Sequence, residues 1–276
     1  MKMNKKIVLL AVTLLTGLGA YAQNNITRTF KLADFNAIDA SYFYEIEVTK
    51  GNKCALTIEA PEDIMDELSV TVSDNELKMG VSREWWRTFE RSWKKDHKVK
   101  AYVTMPDLVS VDLKSAATLR TVTQFSPKNF DIELSGASSA NVSIMTHTAK
   151  IEVSGASELN INGLATRSEV YVSGASTLHF RQDADYIKVK ASGASTVIMD
   201  GSATTADMQA SGASNIKAFN FETDRMTVIC SGASNADVLV KKTVDAKASG
   251  ASNISVKGNP KFSGSHASGA SSIKTR

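Results

Sequence analysis

KIEVSGASELNING, residues 150–163, sets two serines, a glycine and an alanine between two short runs in which apolar and polar residues alternate. The tetrapeptide SGAS begins at Ser135, Ser154, Ser173, Ser192, Ser211, Ser231, Ser249 and Ser268, so successive copies lie 19, 19, 19, 19, 20, 18 and 19 residues apart. A degenerate copy, SAAT at Ser115, stands 20 residues before the first. So steady a period, with no helical spacing inside the unit, marks a solenoid of β coils in which each repeat packs on its neighbours.

The columns around the motif give each coil an inside. Three residues before it stand Ile132, Ile151, Val170, Val189, Met208 and Val228, and one before it Leu134, Val153, Val172, Ala191, Ala210 and Cys230. After it come Ala140, Leu159, Leu178, Val197 and Ile216, followed two residues on by Val142, Ile161, Phe180 and Met199. Apolar residues at every second position describe a strand with one buried face. Each unit reads as two short strands flanking SGAS, then a polar return. The predicted fold is all-β, a single-stranded right-handed parallel β-helix (β-solenoid) with turns of about 19 residues.

Two outward columns follow the same logic. Asp131, Lys150, Glu169, Lys188 and Asp207, four residues before the motif, alternate in sign, and stacking at about 4.8 Å sets them opposite one another. Asn215, Asn235 and Asn253 predict a ladder of side-chain amides. At the corner, Gly bends the chain without a Cβ clash, Ala keeps it narrow, and Ser hydroxyls are placed to bond from coil to coil. Strict alternation would turn Gly and the second Ser inward, whereas a bend at Gly would switch that parity; the sequence leaves both open.

Residues 1–22 combine a basic start (Lys2, Lys5, Lys6), an apolar run from Ile7 to Leu18 and the ending Ala20-Tyr21-Ala22, the pattern of a secretory signal. Cleavage there gives a mature chain from Gln23, and a Gln in that place carries no lipid. No later stretch is apolar enough to cross a membrane, so the product is expected in the periplasm, on the outer-membrane surface or outside the cell. Losing the leader lowers the formal charge from +3 to 0, which removes any reason to expect nucleic acid. The expected division is one β-helix domain over 23–276, with irregular N-terminal turns and a cap over 23–113 and regular SGAS repeats over 114–276. Asp74-Asn75 signals a hairpin. The final unit, 268–276, predicts an open edge through which copies self-associate. Cys54 and Cys230 sit in separate apolar-alternating runs, which favours two buried thiols over a bridge.

One stretch breaks the pattern. SREWWRTFERSWKKDHK, residues 82–98, places Trp85, Trp86, Phe89 and Trp93 at spacings that line one helical face, among many basic residues. Those aromatics either cover the apolar side or end of the coil or form an exposed aromatic and basic patch for a glycan, a partner protein or a membrane surface. A polysaccharide-cleaving reading rests on Glu133 and Glu152, about 5 Å apart if adjacent coils align, with Lys150 beside them. His97, His147, His179 and His266 fall at unrelated places in their units, so no metal is expected, and no cofactor motif is present.

The segments FNAIDASYFYEIEVTKG (35–51) and AYVTMPDLVSVDLKSAA (101–117), followed by repeated SGAS units, resemble the head GIN domain family, described as putative auto-transporter adhesins of bacterial envelopes. The likeness covers essentially all of the mature chain. In that family a Pro-Leu pair leads to a first Ser-Gly-Ala corner, matched here by Met105-Pro106-Asp107-Leu108 and by Ser115-Ala116-Ala117, with Ala116 where Gly is expected. The resemblance implies a single-stranded β-helix, an extracellular or periplasmic setting and an adhesive role, and it transfers no binding residues. The expected function is a secreted or cell-envelope β-solenoid, an adhesin or binding scaffold for glycan or protein. The alternatives are a polysaccharide-active enzyme and a self-associating structural protein.

Overall fold

A computed structural model describes residues 25–82 and 98–276. The chain forms β1 (Asn25–Phe30), β2 (Ala37–Ala40), β3 (Tyr44–Lys50), β4 (Ala55–Pro61), a single helical turn α1 (Glu62–Met65), β5 (Leu68–Ser73), β6 (Glu76–Val81), β7 (Val99–Met105), β8 (Ser110–Leu113) and β9 (Thr118–Thr121). The regular part follows with β10 (Asn129–Leu134), β11 (Ser139–Val153), β12 (Glu158–Val172), β13 (Thr177–Ala191), β14 (Thr196–Ala210), β15 (Asn215–Cys230), β16 (Asn235–Ala248), β17 (Asn253–Lys257), β18 (Lys261–Ala267) and β19 (Ser272–Thr275).

These strands stack in parallel as a β-solenoid of about nine turns. Ile132 pairs with Ile151, Ile151 with Val170, Val170 with Val189 and Val189 with Met208, so the apolar columns of the sequence are vertical files in the fold. The first half of each long strand, after the corner, belongs to one stack, and the second half, before the next corner, to the other. The polar return expected between coils is not a loop. In β11 one strand runs from corner to corner and bends midway, where Met145 turns outward while Thr146 stays buried.

Turns of unequal length are absorbed at that bend. Irregularities fall between Ile198 and Asp200 and between Ala218 and Glu222, so the 20- and 18-residue turns leave the corners in register. The interior is closed by side chains such as Phe125, Phe130, Phe180 and Phe221, all buried. Phe180 and Phe221 meet edge to face with centroids 6.1 Å apart. Each large side chain so buried contributes about 1.5–3 kcal/mol.

Space and sequence order part company at the N-terminal end. β2 lies between β6 and β8, and β3 between β7 and β9, all parallel, so the coil made of β6 and β7 lies beyond the one made of β2 and β3. Beyond it the pairing turns antiparallel: β5 on β6, β4 on β7 and β1 on β4. Asp74 and Asn75, with φ of 56° and 61°, form the predicted hairpin turn. Trp85, Trp86, Phe89 and Trp93 lie outside the described residues. At the opposite end β18 rests on β16 and β19 on β17, and among the described residues their outer edges have no strand partner.

Candidate functional site

The SGAS corners explain themselves physically. Gly193 has φ +71°, and a Cβ there would stand 2.8 Å from the Gly174 carbonyl oxygen of the coil below. Each corner alanine donates its N–H to that glycine carbonyl, as in Ala156 to Gly136 at 2.7 Å and Ala194 to Gly174 at 2.8 Å. The bend resolves the open question of parity: Gly and Ala face outward, and the second Ser, as at Ser138, Ser195 and Ser214, is buried. The Ser214 hydroxyl accepts from the Ser211 N–H at 3.1 Å and has two carbonyls to donate to, Ser211 at 2.8 Å and Ala191 of the coil below at 3.2 Å. Ser234 and Ser252 repeat the arrangement. The coil-to-coil bonding expected of the serine hydroxyls thus runs mostly to backbone carbonyls, although the Ser138 and Ser157 oxygens do lie 3.3 Å apart.

The degenerate corner needs its register corrected. The Ser135 N–H donates to the Leu113 carbonyl and the Ala137 N–H to the Ser115 carbonyl, so the corner is Lys114-Ser115-Ala116-Ala117 and not SAAT. Ser115, with φ 64°, takes the glycine's place. Another corner, Ser41-Tyr42-Phe43-Tyr44, precedes it in the stack, with Tyr42 at φ 71°; sequence reading missed it because it contains neither Gly nor Ala. Tyr44 occupies the buried-serine position and donates its hydroxyl hydrogen to the Gly80 carbonyl at 2.9 Å. Burial lifts its pKa far above the ordinary tyrosine range.

The outer faces hold the remaining polar chemistry. On the post-corner stack the Asn235 amide donates to Asn215 at 3.0 Å and Asn253 to Asn235 at 3.2 Å, completing the expected ladder. On the pre-corner stack Asp131, Lys150, Glu169, Lys188 and Asp207 align as predicted. Several ion pairs, however, run along the strand: Lys150 to Glu152 at 2.7 Å, Arg167 to Glu169 at 3.7 Å and Lys247 to Asp245 at 3.4 Å. A long basic side chain reaches the second residue on its own face as readily as the next coil. Glu133 does stand opposite Glu152, but in a file that continues through Asp112 and Asp39. Lys150 holds Glu152, and Lys114 lies between Asp112 and Asp39, 3.3 Å from the latter. Burial raises the Asp39 pKa against the opposing pull of Lys114. A lysine-tied file of this kind is a surface charge column.

Hollows open on the surface among the described residues. One of about 650 Å³ sits at the midway bends among Met145, Leu164, Asp183, Asp185, Glu222 and Asp224. Three of its carboxylates are engaged, Glu222 by Lys241, Asp224 by Lys242 and Asp183 by the Ser202 hydroxyl. Another, about 380 Å³, lies beside the corners between Tyr171, Lys190 and Gln209 on one side and Ser173, Ser192 and Ser211 on the other. The Lys188 and Lys190 ammoniums stand 5.9 and 5.8 Å from the Tyr171 ring centroid. Arg167 covers the Tyr186 ring at 4.2 Å, and the Tyr186 hydroxyl donates to Asp207 at 2.7 Å. Sequence reading passed over this group because its members belong to three different outward columns.

Among the described residues no group of His, Cys, Asp and Glu is arranged to hold a metal. Both cysteines are free; Cys230 is buried, with its thiol pushed up to about 11 by desolvation, while Cys54 is half-buried and bonded to the Phe35 backbone. No helix among the described residues is long and apolar enough to cross a membrane.

Solved structures share the fold at low identity. A putative adhesin from Parabacteroides distasonis matches with a TM-score of 0.67 at 15% identity, over 92% of this chain and 97% of that one. A protein from the same species named a putative lipid binding protein gives a TM-score of 0.62 at 18% identity over 92% and 97% of the two chains. A putative adhesin from Parabacteroides merdae gives 0.60 at 16% over 91% and 96%. No curated protein matches. The family model described as putative auto-transporter adhesin, head GIN domain, matches residues 34–182 and 165–260, and with its corners, files and outward faces the chain belongs to that family.

Proposed function

We propose that the protein is a non-catalytic binding scaffold of the bacterial envelope, a single domain over residues 23–276 that residues 1–22 direct out of the cytoplasm. One observation carries this reading: buried second serines such as Ser214, Ser234 and Ser252 are committed to the backbone of their own corner and of the coil below. What remains for chemistry lies on the outer faces, in files that repeat at one-coil intervals. A rigid rod with repeating outward files suits a polymer better than a small substrate. The adhesin names of the family and of the similar structures agree with that use. The partner is a surface glycan or protein, and the Trp85, Trp86, Phe89 and Trp93 segment is a second place for it. Protease treatment of intact cells tests the setting: cleavage of the protein at the surface is expected, and full protection would overturn an adhesive role. A screen of purified protein for polysaccharide cleavage is expected to show no turnover. The unpaired outer edges of β18 and β19, with Phe262 and Ile273 half-covered beside the core, support self-association as a second reading. Sedimentation showing mass independent of concentration would dismiss it.

A further inference from the structure

The pre-corner stack carries two cations that its own carboxylates leave alone. Lys188 lies in register between Glu169 and Asp207, the two carboxylates placed to neutralise it. Glu169 accepts from the Tyr171 hydroxyl at 3.2 Å and lies 3.7 Å from Arg167, while Asp207 accepts from the Tyr186 hydroxyl at 2.7 Å. Lys190 has Tyr171 and Gln209 as its register neighbours, and neither is acidic. Among the described residues no carboxylate stands within 4.0 Å of either ammonium, in contrast to Lys150 on the same face. Both ammoniums are instead gathered over one ring, that of Tyr171. Neither ammonium is taken up in an ion pair among the described residues, so both remain free to meet an anion.

The trough beside them gives that anion a shape. It is lined by Tyr171, Lys190 and Gln209 in successive coils, by Ser173, Ser192 and Ser211, and by Ile229 in the coil beyond Gln209. It runs along the stack axis, so its polar groups repeat at about 4.8 Å, close to the advance of one pyranose in an extended chain. The exposed Gln209 amide makes no hydrogen bond within the described protein, so its donor and acceptor remain available for hydroxyls. We infer that this trough binds a uronate-containing polysaccharide, with the sugar carboxylate on Lys188 and Lys190, hydroxyls on Gln209 and the corner serines, and ring C–H groups against Tyr171 and Ile229. A neutral glycan would leave two ammoniums unmatched, and a bare phosphate would leave the trough empty.

The inference rests on the proposed binding role, and the experiment separates the two. The mature protein is passed over immobilised polygalacturonate and over the same polymer fully methyl-esterified, beside the double variant Lys188→Met and Lys190→Met and the single variant Gln209→Ala, each checked by circular dichroism. Retention on polygalacturonate is expected to fall at least tenfold in the double variant and severalfold in Gln209→Ala, with the ester hardly retained by any form. Equal retention on acid and ester, an unchanged Kd in the double variant, or no retention of the wild type would overturn the inference. Wild-type binding to phosphatidylglycerol vesicles that the double variant loses, with polygalacturonate ignored, would overturn it in favour of an anionic membrane. Retention of the double variant on whole bacterial cells at the wild-type level would remove this site while leaving the envelope-binding role standing.

Discussion

Replacing Gly193 by Ala tests the corner at its most constrained atom. At φ +71° an alanine pays about 1–2 kcal/mol for the left-handed backbone alone. Its Cβ would also stand 2.8 Å from the Gly174 oxygen and 3.1 Å from the Gly174 nitrogen, closer than carbon tolerates. Because both contacts are backbone, no side chain can swing aside. Relief requires the corners to part, which weakens the 2.8 Å bond from the Ala194 N–H to the Gly174 carbonyl, worth about 1 kcal/mol. The expected loss is about 2–4 kcal/mol, confined to the contact between neighbouring coils because each repeat touches only its neighbours. Hydrogen exchange provides the readout: the Ala194 amide should exchange faster, while amides several coils away, such as that of Ala251, keep their protection. Ala194→Ser, at an outward position of the same corner, should stay within about 0.5 kcal/mol of wild type. Wild-type exchange at Ala194 in the Gly193→Ala protein would refute the stacked-corner account.

Ser214→Ala should destabilise by about 1–2 kcal/mol in denaturant titration, since it removes the buried hydroxyl that bonds the Ser211 and Ala191 carbonyls, whereas Ser211→Ala, losing one 3.5 Å contact from a half-exposed hydroxyl, should change little. At pH 8 a thiol reagent should label Cys54 and spare Cys230 until the chain unfolds. The folded pKa of Cys230 lies above its unfolded value of 9.0, so its share of stability is complete below that pH and disappears as pH rises through about 11; an alkaline unfolding series with Cys230→Ala checks the sign. Asn235→Ala removes both rungs of an exposed amide ladder and should cost no more than about 1 kcal/mol, read as a small shift in the unfolding midpoint.

The stack was legible because stacking writes itself into sequence. When position n of one coil lies on position n of the next, every residue answers to a copy of itself, and files such as Ile151, Val170 and Val189 become readable as a period. The regular corners were legible for the same reason, since a glycine that must clear another glycine's carbonyl cannot drift. What stayed hidden is whatever stacking does not repeat. Tyr42 and Ser115 hold the same left-handed bend without glycine, so a motif search finds nothing at the first and shifts by one residue at the second. The order of coils at the N-terminal end, with β6 and β7 beyond β2 and β3, follows from long-range pairing that no local pattern records.

The same physics separates structural from functional residues on this fold. A residue that serves the stack must recur, because an unmatched neighbour above or below would lose its partner; the buried serines recur and are bonded to backbone. Tyr171 and Lys190 break their column, which Glu152 continues below and Gln209 above, while Lys188 keeps its place in the alternating column between Glu169 and Asp207. Nothing in the packing of the coils asks for a ring with two ammoniums 5.9 and 5.8 Å from its centroid, and the carboxylates nearest to Lys188 make their contacts with tyrosine hydroxyls and Arg167. On a surface built by repetition, a departure from the repeat that leaves an aromatic ring and lysines outside any ion pair is where recognition of an anionic partner resides.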